Sequence, residues 1–95
     1  MAIKELQERA KELAQTLPEV TVDQRMMFLM TEVGEVAREV LKLSGVGKDA
    51  DEVKERLGME LYDVVWNICD LANMLGIDLE KSFAMKTEIN RQRDW

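Results

Sequence analysis

Apolar residues recur along this chain at steps of three and four, the spacing of one helix face, and few points interrupt the pattern. Ile3, Leu6, Ala10, Leu13 and Leu17 predict a first amphipathic helix over residues 2 to about 16, ended by Pro18. Thr21 with Gln24 three residues later predicts a capping box opening a second helix. Its apolar seam is Met26, Leu29, Val33, Val36, Val40 and Leu43. Gly34 interrupts that helix at a cost of about 1 kcal/mol against Ala, so close packing or a ligand is expected there. Residues 44–48, Ser-Gly-Val-Gly-Lys, read as the flexible linker. Asp49 with Glu52 marks the start of a third helix reaching about Leu75. Leu57, Leu61, Val64, Ile68, Leu71 and Leu75 form its seam, widened by Val65, Cys69 and Ala72. Gly76 fits its C-terminal cap, and Asp78 caps a fourth helix to about Asn90. Nothing alternates with period two and no repeat is present. The expected class is all-α: a four-helix, bundle-like protomer in a single domain spanning 1–95.

Ninety-five residues make one small domain, and four short helices bury little surface. The third helix is apolar on more than one side and the chain carries seven methionines, so the core is expected to be completed by oligomerisation, as a homodimer or homotetramer. A self-sufficient monomer with a methionine-filled core is the alternative. Trp95 reads as cover for an interface. Net charge −6 argues against a nucleic-acid partner. No apolar run is long enough to span a membrane. The single Cys69 and the lack of a secretory signal point to a cytoplasmic location. The Gly-Lys of the linker lacks the spacing of a phosphate-binding P-loop. With no histidine in the chain, the commonest general base and the usual zinc ligands are ruled out.

Polar residues beside the two long seams carry the candidate chemistry. In the second helix Phe28, Glu32, Glu35 and Glu39 each precede a seam position; in the third Glu60, Asp63, Asn67 and Asp70 do the same. Carboxylates at the edge of a core are costly unless something pairs with them. If the seams pack together, Glu32, Glu35, Glu60 and Asp63 converge, and four such groups stay ionised only around a cation. All-oxygen ligands suit Mg²⁺ or Mn²⁺. Acid pairs at this spacing are common in so acidic a chain, and a solvated helix face is the competing reading. Trp66 and Phe28 are either core residues or platforms for a base. Asn67, one turn beyond Asp63, is placed to hydrogen-bond a base or sugar.

Glu32-Val-Gly-Glu35 followed by Glu60-Leu-Tyr-Asp63-Val-Val-Trp66 resembles the Glu-x-x-Glu…Glu-x-x-Asp signature of the MazG-like all-α nucleoside triphosphate pyrophosphohydrolases. The tail Lys86-Thr-Glu-Ile-Asn90-Arg91-Gln-Arg93 is similar to the one in that family's dCTP pyrophosphatase branch, although Asn67 stands where that branch carries an aromatic residue. The likeness spans about residues 24 to 93. It implies a helical dimer or dimer-built tetramer that cleaves a (d)NTP to the monophosphate and pyrophosphate with Mg²⁺ held by the four acids. It also implies that Lys86, Asn90 and Arg93 hold phosphate oxygens; without it they read as cations and an amide near a helix C-terminus. Phosphoribosyl-ATP pyrophosphohydrolase shares the acid pairs but is associated with a histidine after the Asp63 position. A non-catalytic helical interaction module is the rival from another class.

Overall fold

The structure, a computed structural model, describes residues 2–45 and 49–93. Residues 46–48 of the expected linker and Trp95 lie outside the described residues. Four helices follow one another: α1 (Ile3–Ala14), α2 (Val22–Leu43), α3 (Ala50–Met74) and α4 (Leu79–Arg91). No strand occurs among the described residues. Their ends are set by the predicted chemistry. Thr21 Oγ1 accepts from Gln24 N while Gln24 Oε1 accepts from Thr21 N, a complete capping box. Asp49 accepts from the backbone of Asp51 and Glu52 to open α3, and Asp78 accepts from Lys81 N to open α4. Gly76, at φ +69°, closes α3. Ile77 N donates to Ala72 O and Gly76 N to Asn73 O, the paired bonds of a Schellman turn.

α3 is the central element. α2 runs antiparallel along it, α1 packs against it, and α4 packs chiefly on α1. Gln7 ties three of these pieces together: its Nε2 donates to Asn73 Oδ1 and Ile77 O, and its Oε1 accepts from Leu79 N at the start of α4.

Two expectations need correcting. A Cβ built on Gly34 meets nothing within 4 Å among the described residues, so of the two explanations for that glycine, close packing or a ligand, packing within the described chain is not the one. The apolar seam of α3 is also not its most buried line. Leu61, Ile68 and Leu75 are exposed, whereas Glu60 and Asp63 are half-buried and Asn67 and Asp70 are buried. On α2, Arg25 and Glu39 are buried while Met26, Val33 and Val40 are exposed. The polar stripes therefore lie in the α2–α3 interface of one chain, and the greasier flanks face out. The apolar core is correspondingly small: Ala10, Val53, Cys69 and Ala72 are its fully buried members among the described residues.

Candidate active site

Three inward polar residues of α2 fall seven apart, the buried Arg25 and Glu39 and the half-buried Glu32 between them, and their opposite numbers on α3 do likewise, at the buried Asp70 and the half-buried Asp63 and Arg56. Seven residues is nearly two helical turns, so each set lies on one side of its helix. Because the helices are antiparallel, the sets meet as three rungs.

At one outer rung, Arg25 Nε lies 2.7 Å from Asp70 Oδ2 and Arg25 Nη1 donates to Asn67 Oδ1 at 2.9 Å. At the other, Glu39 accepts from Lys42 at 3.0 Å and from Arg56 Nε at 3.4 Å. The hydrogen bond from Lys42, outweighing burial and helped by Arg56, holds the Glu39 carboxyl below its usual range. Each outer rung thus brings its own cation.

The middle rung consists of acids. Carboxylate oxygens of Glu32, Glu60 and Asp63 lie within 4.8 Å of one another. Burial first, then the charges of Asp63, Glu60 and Glu35, push the Glu32 carboxyl above its usual range. Negative charge is concentrated here with no positive side chain in the group, and the donors are hard oxygens. That set fits a divalent cation. Glu35 is not in this group; its carboxylate lies 3.9 Å from Arg38 Nη1, although it still acts on Glu32 through its charge.

A cleft of about 530 Å³ opens beside the rung, with Glu32 and Asp63 in its wall. Leu13, Leu17, Pro18 and Val20, from the end of α1 and the turn after it, form its apolar side. Phe28, Trp66 and Asn67 line it as well. The size and mixed lining are those of a small-molecule site. Trp66 and Phe28 are not bare platforms, since the Arg25 guanidinium carbon sits 4.6 Å from the Trp66 ring and 5.5 Å from the Phe28 ring. The Trp66 indole Nε1 is buried and lacks a hydrogen-bond partner among the described residues.

Lys86, Asn90 and Arg93 do not line this cleft. Lys86 and Arg93 are exposed, while Asn90 is half-buried with its Oδ1 shut from solvent and unpartnered among the described residues. Sequence reasoning missed Arg25. The signal for it was the search for a partner to Asp70: Arg25 is the basic residue one heptad before Glu32, as Asp70 is one heptad after Asp63.

Residues 20–94 match the MazG nucleotide pyrophosphohydrolase domain. Two crystal structures of iMazG from Vibrio DAT 722, with the tag at the N-terminus or the C-terminus, superpose with TM-score 0.73 at 32% identity. Each alignment covers 96% of this chain, and 95% and 99% of the respective iMazG chains. No curated protein matches by sequence. With its four-helix architecture, its acid-only rung and this match over most of its length, the chain belongs to the MazG nucleotide pyrophosphohydrolase family.

Proposed function

We propose that this nucleotide pyrophosphohydrolase cleaves nucleoside triphosphates, deoxy or ribo, to the monophosphate and pyrophosphate with Mg²⁺, or Mn²⁺ in its place. The middle rung carries this reading: two neighbouring rungs are neutralised by arginine and the third is left acidic beside an open cleft. Glu32, Glu60 and Asp63 would hold the ion, with Glu35 joining them on loading. When bound, the ion offsets triphosphate charge and raises the acidity of water at the site. A water oxygen bonds to the α-phosphorus as the bond from that phosphorus to the bridging oxygen breaks. Pyrophosphate leaves with the bridging oxygen, and a glutamate of the set accepts the water's proton.

The base would lie toward Asn67, Trp66 and Phe28 and the phosphates toward the acids. Lys86, Asn90 and Arg93, outside the cleft of a single chain, are assigned to phosphate oxygens in a homodimer or homotetramer. The exposed flanks of α2 and α3 support such an assembly, with residues 1–95 as one domain working on the cytoplasmic nucleotide pool. The test is a pyrophosphate-release screen over all (d)NTPs and phosphoribosyl-ATP, with and without Mg²⁺. Release from (d)NTPs that disappears in Glu35→Gln and Asp63→Asn is expected. Cleavage of phosphoribosyl-ATP alone, or full activity in both variants, rejects the assignment.

A further inference from the structure

The cleft has a polar end that the acid rung does not use. Asn67 lines it although the residue is only 5% exposed. Its carboxamide is held from both sides: Oδ1 accepts from Arg25 Nη1 at 2.9 Å and Nδ2 donates to the Asp63 carbonyl at 2.7 Å. Both contacts demand the same orientation. Turned over, the amide would set its NH₂ against the guanidinium and its oxygen against a carbonyl oxygen. Arg25 is fixed in turn. Its Nε is 2.7 Å from Asp70 in an ion pair between two buried side chains, and its guanidinium lies over the rings of Trp66 and the half-exposed Phe28.

An asparagine free to rotate its amide satisfies a donor–acceptor edge or the reverse edge equally well. A locked one keeps a single order for its remaining N–H and lone pair. Nucleobases divide on that order. Adenine and cytosine show an amino group beside a ring-nitrogen acceptor, whereas guanine, thymine and uracil show a carbonyl oxygen beside a ring N–H. We propose that Arg25 is a positioning residue for base selection. Through the Asp70–Arg25–Asn67 relay it locks the Asn67 carboxamide, and the cleft thereby sorts amino bases from oxo bases. The proposal rests on the reading of the cleft as the nucleotide site.

The test is kcat and KM of the full chain with Mg²⁺ for dATP against dGTP and for dCTP against dTTP. In the unaltered protein the two classes should differ in kcat/KM by about 10- to 100-fold, the scale of one well-made two-point contact to a base edge. Arg25→Lys keeps a cation for Asp70 and removes the planar fork that grips Asn67. It should bring both ratios toward one, with the larger part of the change in KM. A purely structural Arg25 would lower the melting temperature and leave the ratios standing, and that result overturns the proposal. If Arg25→Lys does not fold, the Asn67 side-chain amide signals of the unaltered protein decide. Titration with dAMP, dCMP, dGMP and dTMP should displace them with one class only, and displacement by both or by neither refutes the relay. Pyrophosphate release with no class preference also refutes the relay while leaving the nucleotide site standing. Absence of release from every triphosphate refutes the site itself.

Discussion

Glu32 and Glu39 stand one heptad apart on the same side of α2, yet their surroundings move their carboxyls in opposite directions. Glu32 is raised by burial and acidic neighbours, so the native state holds its proton more tightly than the unfolded chain does. Its stabilising contribution is complete below the ordinary value of 4.5 and is lost as pH rises through the raised native value. Glu39, lowered by Lys42, contributes above 4.5, and that part is lost as pH falls through its depressed native value. In metal-free protein, Glu32→Gln should therefore raise the melting temperature at pH 7 and lose that advantage by pH 4, as calorimetry across pH would show. A variant no more stable than its parent at pH 7 contradicts the crowding of charge at this rung. On the proposed metal site the order should reverse with Mg²⁺ present, because glutamine offers the ion no carboxylate. Its pyrophosphate release should fall by about a hundredfold or more, the scale for removing one preorganised electrostatic group.

Three substitutions separate the devices that shape the helices. Thr21→Ala removes the reciprocal cap of α2 and should cost about 1 kcal/mol in urea unfolding. Gly76→Ala forces a Cβ into the left-handed region and should cost about 1–2 kcal/mol. Gly34→Ala meets open space and should instead stabilise by roughly 1 kcal/mol through helix propensity. If it stabilises the fold while depressing turnover, Gly34 is there for what approaches the helix. The element boundaries were legible in advance because Thr21, Asp49, Gly76 and Asp78 act locally, on backbone groups within a few residues. The inward faces were harder to read. Leu61 and Ile68 look like core by hydropathy yet are exposed, while Arg25, Glu39, Asn67 and Asp70, which hydropathy assigns to solvent, are buried. Only pairing across the hairpin makes Arg25 and Asp70 acceptable inside. Pairing of that kind, 45 residues apart along the chain, has no local signature.

The chain is wide for its length. Its radius of gyration is 16.0 Å, where about 12 Å is usual for a domain of this size, and its extents are 45 × 44 × 25 Å. Leu61 and Ile68 on α3, Met30 and Val33 on α2, and Phe83 on α4 are all exposed in the single chain. Sedimentation should accordingly find a dimer or tetramer at micromolar concentration. Ile68→Lys should shift the protein toward monomer and lower its melting temperature, whereas a compact, stable monomer would show that the exposed faces need no partner. The gathering of Glu32, Glu60 and Asp63 was foreseeable because both acid stripes keep the same phase beside their seams. The separation of Lys86, Asn90 and Arg93 from the cleft was not, because where α4 docks depends on Gln7 and α1 rather than on the tail's own pattern.

The ladder between α2 and α3 has a consequence for the enzyme's durability. Its ends are closed by charges of the chain itself, whereas its midpoint, on the proposed reading, is closed by an ion taken from the medium. Chelators should therefore quicken hydrogen exchange in the middle of both long helices while their ends stay protected. On that reading, scarcity of the ion would slow turnover and also loosen the hairpin at its waist, exposing it to proteases.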